Sequence, residues 1–198
     1  SHWQYTFGDD IHRKYTDPLI EDDLRAFLAA QYKDRQLTEA EVDGIVANLR
    51  NTSGQNDYFA LQNTFLLYRD GYDFAYSDGR GNPFRLEYID FEHPDHNIFH
   101  CVNQFVMEQG RENRRPDILL FVNGIPVCII ELKNPTKQNA TIRDAHTQIC
   151  TRYMRDIPAL LKYCALAVIS DGAKNALGTT YTPFEFFYEW KKIDNEDK

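Results

Sequence analysis

Apolar positions follow a helical period in the first third of the chain and a strand-like pattern beyond it. Leu24, Phe27, Leu28 and Tyr32 recur every three or four residues after Asp17-Pro18, which predicts a helix over 19–32. Thr38-Glu39-Ala40-Glu41 has the T-x-x-E form of a capping box, and Val42, Ile45, Val46 and Leu49 follow at helical spacing. Residues 1–50 therefore read as a helical N-terminal extension packed on the core. The polar run 51–56 (Asn-Thr-Ser-Gly-Gln-Asn) is the best boundary with a second unit, 51–198.

That unit opens with another helical stretch, 57–69, stopped by Gly71. Strand-like runs follow at 72–76, 84–91, 98–107, 117–122 and 125–133. Asn123-Gly124 joins the last two, and this pair is a strong hairpin signal because both residues tolerate positive φ. The pattern turns helical over 139–155, breaks at Ile157-Pro158, resumes to Tyr163, and ends in a buried strand over 165–170. The fold class expected is α/β, with a mixed sheet of about five strands flanked by helices.

Composition narrows the class. Hydrophobic residues make up 42% of the 198, enough for a real core. No run approaches the ~20 apolar residues of a membrane span. Ser1-His2-Trp3-Gln4 lacks a basic region followed by an apolar one, so no signal peptide is expected. The four cysteines form no C-x-x-C pair and read as reduced thiols of a cytoplasmic protein. The net charge of −8 does not suit an autonomous nucleic-acid binder, so any DNA contact should be local or shared with a larger assembly.

The candidate chemistry lies in Arg114-Arg115-Pro116-Asp117, the apolar run 118–130, and Glu131-Leu132-Lys133. Charges beside a core are costly unless paired or bound to metal. Glu131 and Lys133 share a strand face by the period of two, and the hairpin folds Asp117 back beside Glu131. An ideal two-residue loop at Asn123-Gly124 would pair Asp117 with Ile130 and leave Glu131 on the other face. A three-residue loop, or a bulge near Pro116, is therefore expected. Two converging carboxylates suit Mg²⁺, and Lys133 would orient a water or stabilise charge on phosphorus.

Pro116-Asp117 with Glu131-Leu132-Lys133 is the PD-(D/E)xK nuclease signature. The longer stretch Arg-Pro-Asp-Ile-Leu-Leu-Phe-Val-Asn-Gly-Ile-Pro-Val … Ile-Glu-Leu-Lys-Asn-Pro resembles the N-terminal nuclease region of type I restriction enzyme R subunits. So do Asp156-Ile157-Pro158, Ser170-Asp171-Gly172 and Glu185-Phe186-Phe187-Tyr188-Glu189-Trp190, so that the resemblance spans residues 17–190. It implies an endonuclease domain hydrolysing phosphodiesters of double-stranded DNA, with Asp117, Glu131 and the Leu132 carbonyl as Mg²⁺ ligands and Lys133 as the catalytic lysine. It also implies a Q-x-x-x-Y element on the next helix. Here Gln148 and Tyr153 are one residue further apart, ~140° rather than ~40° around an α-helix, so a kink or bulge is needed for both to face the site. The implied partners are the modification and specificity subunits and a C-terminal ATP-driven translocase. No G-x-x-x-x-G-K-[ST] loop is present, so this chain is expected to be an N-terminal piece that binds no ATP itself.

The blander readings are a surface ion pair for the three charges, core packing for Tyr153, and a docking module inactive in isolation. Arg114 and Arg115 are the best DNA contacts, in a basic rim that would also include Arg111, Lys137, Arg143, Arg152 and Arg155. His93, His96 and His100 invite a zinc reading, but Pro94 interrupts them, no cysteine stands at ligand spacing and no regular element is expected there, so none is assigned.

Overall fold

The computed structural model describes residues 3–134 and 141–189. Its centre is a seven-stranded mixed sheet rather than one of five. The strands are β1 (Trp3–Phe7), β4 (Phe99–Asn103), β7 (Ile118–Val122), β8 (Ile125–Leu132), β9 (Leu166–Ser170), β10 (Asn175–Gly178) and β11 (Tyr188–Glu189), side by side in that order. The β1–β4 and β8–β9 pairs are parallel and the rest antiparallel. Two short hairpins stand apart, β2 (Tyr72–Phe74) with β3 (Phe84–Leu86), and β5 (Met107–Gln109) with β6 (Glu112–Arg114).

The strands of this sheet absent from the sequence reading, β1, β10 and β11, lie at or near its edges. Residues 1–50 were expected to be helical, yet Trp3–Phe7 is a strand whose aromatic side chains stay largely exposed. Its pairing partner lies almost a hundred residues away, and a five-residue window carries too little period to announce it.

Helices α1 (Glu21–Gln31), α2 (Glu39–Asn51) and α3 (Asp57–Asp70) follow the expected segments closely. The capping box forms as read: Thr38 Oγ1 accepts from the Glu41 N–H, and Glu41 Oε2 accepts from the Thr38 N–H at 2.8 Å. These helices bury Leu24, Phe27, Ile45, Leu49 and Tyr68 with Val122 and Ile125 of the sheet, so residues on both sides of position 50 share one core. A second core lies under α4 (Ile142–Thr147), which continues through a π-helical segment (Gln148–Tyr153) into α5 (Met154–Asp156), with α6 (Pro158–Leu161) after it. There Ile149, Tyr153, Ile157 and Leu160 pack on Leu119, Phe121, Ile129 and Ile169. Among the described residues no helix is long and apolar enough to cross a membrane.

The β7–β8 hairpin sets the register on which the candidate site depends. Its turn has two residues, Asn123 (φ 50°) and Gly124 (φ 73°), rather than three. A Cβ on Gly124 would stand 2.0 Å from the Ile20 carbonyl oxygen, so glycine is required there for space as well as for φ. Val122 pairs Ile125 and Phe121 pairs Pro126, but Leu120 pairs Cys128, so Val127 is an extra residue in β8. The irregularity is thus a bulge beside Pro126, not near Pro116 and not in the loop. Pro126 has no N–H to offer the ladder, and a bulge is where a sheet interior tolerates that. Beyond it Ile118 pairs Ile130, which places Asp117 and Glu131 on one face.

Candidate active site

Glu131 lies at the end of β8, 2% exposed. Its Oε1 accepts from Lys133 Nζ at 3.0 Å, and its Oε2 accepts from the Tyr153 hydroxyl at 3.3 Å. Lys133 Nζ also donates to Gln148 Oε1 at 2.5 Å, and Gln148 Nε2 donates to the Tyr153 oxygen at 2.6 Å. Four side chains from a strand and a helix thus close a ring. Asp117 stands at the rim, where Oδ2 accepts from the Leu132 N–H at 2.9 Å and Oδ1 from Gln104 Nε2 at 3.2 Å.

The π-helical segment places both members of the Gln148/Tyr153 pair at the site. It spans these two residues, and the Met154 N–H reaches back five residues to the Ile149 carbonyl. This wider winding brings side chains five apart nearly into line. The kink demanded by the sequence spacing is therefore a π-bulge. Tyr153 has a double role, since its ring is buried in the core while its hydroxyl reaches Glu131.

Burial pushes the Glu131 carboxyl up to about 7, helped by the negative charge of Asp117, while the hydrogen bond and charge of Lys133 oppose the rise. Burial and the charge of Glu131 raise Tyr153 above its ordinary value, so it remains a neutral donor. Glu131 is thus a carboxylate whose burial is only partly offset by one ammonium.

A cleft of about 410 Å³ opens beside these groups, lined by Asp117, Leu132 and Lys133 together with Tyr5, Asn103 and Gln104. Asn103 Oδ1 is buried without a hydrogen-bond partner among the described residues. The oxygen donors gathered at this end of the hairpin are the carboxylates of Asp117 and Glu131 and the Leu132 peptide; Asn103, paired with Ile118, belongs to the other face of the sheet. A strand residue's N–H and C=O point to the same edge, so the Leu132 carbonyl shares the Asp117 side with its N–H. Hard divalent cations take this kind of set.

The family model for the type I restriction enzyme R protein N terminus matches residues 2–186, nearly the whole chain. The chain belongs to this family. Over 99% of its length it is 31% identical to the type I restriction enzyme HindI endonuclease subunit of Haemophilus influenzae, and it spans 19% of that protein. Over 57% of its length it is 39% identical to the putative MjaIXP endonuclease subunit of Methanocaldococcus jannaschii, spanning 11% of that protein. Over 63% of its length it is 33% identical to the EcoprrI endonuclease subunit of Escherichia coli, spanning 40% of it.

In this R-protein N-terminal domain the two arginines next to Asp117 have different fates. Arg114 is taken up by structure: its Nε donates to Asp156 Oδ2 at 2.7 Å, Nη1 to the Asn113 carbonyl, and Nη2 to Glu112. Arg115 is half exposed, with Nε 3.3 Å from the Gln104 carbonyl oxygen and Asp9 3.6 Å away. Arg155 is also drawn to Asp156, and Arg143 lies over the Phe184 ring. Lys137 and Trp190 lie outside the described residues. Sequence reasoning missed Gln104, which holds Asp117 twice: by its side chain, and by its backbone N–H on the Asp117 carbonyl at 2.9 Å. Its left-handed backbone (φ 54°) carries no signature for a residue other than glycine or asparagine.

Proposed function

We propose that this domain is the endonuclease module of a type I restriction enzyme R subunit, with a PD-(D/E)xK core that hydrolyses phosphodiester bonds of double-stranded DNA with Mg²⁺. The observation that carries this reading is Glu131: a carboxylate 2% exposed, held by Lys133 and Tyr153, with the charge of Asp117 beside it. A buried charge so poorly compensated is explained by a cation that completes it.

Asp117, Glu131 and the Leu132 carbonyl would hold the ion. When bound, Mg²⁺ supplies charge to the phosphate oxygens and acidifies a water. Lys133 orients the attacking water and meets the negative charge that develops on phosphate, while Gln148 keeps its ammonium in place. Tyr153 fixes the Glu131 carboxylate by its hydroxyl, and Gln104 fixes Asp117. Arg115, half exposed at the rim, would contact the DNA backbone. Water loses a proton to solvent as it adds to phosphorus, the P–O bond to the leaving sugar oxygen breaks, and that oxygen takes a proton from solvent.

The remaining parts of this proposal belong to the whole subunit. A C-terminal ATP-driven translocase would hold the DNA, the modification and specificity subunits would choose the site, and the enzyme would work in the cytoplasm. Calorimetric titration of the chain with Mg²⁺ tests the site: binding that disappears in Glu131→Gln supports the assignment, and no binding at millimolar Mg²⁺ overturns it. Cleavage of plasmid DNA by the assembled enzyme, wild type against Lys133→Ala, tests the chemistry.

A further inference from the structure

Residues 90–100 gather a second set of metal-capable groups, and not the set that the sequence pattern brings to mind. His100 turns away, its Nδ1 2.5 Å from Asp23 Oδ2 and its Nε2 2.7 Å from Gln4 Oε1. Asp90 stands in its place. A 3-10 turn over Pro94–His96 folds the segment back on itself. It leaves Nδ1 of His96 at 3.0 Å and Nδ1 of His93 at 3.6 Å from the same oxygen, Asp90 Oδ2. One ligand atom from each of the three residues lies within 4.8 Å of the other two.

The arrangement is held from below and open above. Asp90 is 3% exposed, whereas both histidine side chains face solvent. Asp90 Oδ1 accepts from the His93 N–H at 2.8 Å, and Oδ2 accepts from Gln31 Nε2 at 3.0 Å, which ties the loop to α1. The Asn97 side chain clamps the Asp90 backbone on both sides, accepting from its N–H at 2.9 Å and donating to its carbonyl at 2.7 Å. Asn97 in turn accepts from Asn123 of the hairpin turn at 2.8 Å. Proline, which seemed to break the histidine pattern, starts the turn that aligns it.

Two imidazoles stacked at 5.0 Å and 17° address one buried carboxylate oxygen. A single divalent ion between them satisfies both nitrogens and the carboxylate at once. Two imidazole nitrogens and one carboxylate suit an ion of borderline softness and suit Mg²⁺ poorly. We propose that Asp90, His93 and His96 bind a zinc-type transition-metal ion that staples this loop to α1 and to the turn of the β7–β8 hairpin. The fourth position is left to water or to Gln31 Oε1 after its amide rotates. This site lies at the opposite end of the hairpin from Asp117 and Glu131 and does not depend on the nuclease reading.

The test is calorimetric titration of the chain with Zn²⁺, in wild type and in a Glu131→Gln background that removes the other carboxylate site. One-to-one binding is expected in the Glu131→Gln background, and the same site should persist in wild type. His93→Ala and His96→Ala, which change exposed side chains, should each weaken it by about tenfold or more, and His100→Ala should leave it unchanged. Co²⁺ in place of Zn²⁺ should give a d–d spectrum without a thiolate charge-transfer band, which separates this site from binding at Cys101 or Cys150. Absence of one-to-one binding, equal binding by the two histidine variants, or a thiolate band would overturn the proposal.

Discussion

Glu131→Gln should make the metal-free chain more stable at pH 8, although it removes the central group of the candidate site. Glutamine keeps the shape of a protonated Glu131 and cannot ionise. Burial and Asp117 raise the Glu131 carboxyl from 4.5 to about 7. This change corresponds to about 3 kcal/mol, at 1.36 kcal/mol for each tenfold step. The figure is net of the attraction to Lys133, which already acts on the same equilibrium. A carboxyl held above its unfolded value stabilises the fold where it is protonated. That contribution is present below about pH 4.5 and is lost as pH rises through about 7. The amide introduced by the substitution would point one N–H₂ at Tyr153, a poorer partner than the carboxylate, so about 2–3 kcal/mol is the expected gain. In a chain of this size that is a rise in Tm of roughly 4–12 °C. Urea unfolding in EDTA at pH 8 and at pH 4.5 is the assay. The variant should exceed wild type at pH 8 and the difference should close at pH 4.5. Equal stability at pH 8, or a difference that persists unchanged at pH 4.5, would refute the view of Glu131 as a buried, undercompensated acid. Mg²⁺ should stabilise wild type and not the variant.

Lys133→Ala should lower DNA cleavage by the assembled enzyme about 10²-fold or more, the scale of losing one charge-stabilising group. Mg²⁺ titration should show its binding kept, because Lys133 is not a ligand. Asn123→Ala should cost about 2–4 kcal/mol in urea unfolding, since it orphans the Tyr88 carbonyl and the Ile98 N–H and leaves alanine at positive φ. Deleting the exposed Thr151 should convert the π-helical segment to α-helix and bring Gln148 and Tyr153 four residues apart, which is also on one helix face. Thermal unfolding should then show a folded chain with Mg²⁺ binding retained; loss of both would show that the bulge is needed for more than alignment.

Helices α1, α2 and α3, the Thr38–Glu41 box and the Asn123-Gly124 turn were legible because each rests on residues within one or two turns of each other. The residues Asp117, Glu131 and Lys133 were legible as charges at the ends of apolar strands. The need for an irregularity in the hairpin and for a distortion between Gln148 and Tyr153 also followed from counting alone. Where each distortion falls did not follow. The bulge settled beside Pro126, and the π-helical segment spans the helical pair itself.

By itself, then, the amino-acid order determined which segments coil or extend, and which ionisable groups had to be reconciled with a core. Only the folded chain decided that Arg114 would serve Asp156, that Gln104 would hold Asp117, and that Asp90 rather than His100 would face His93 and His96. The physical reason is range. Backbone propensity and side-chain period act between near neighbours. The partners of a buried charge come from wherever packing brings a donor, and packing joins β1 to β4 across almost a hundred residues.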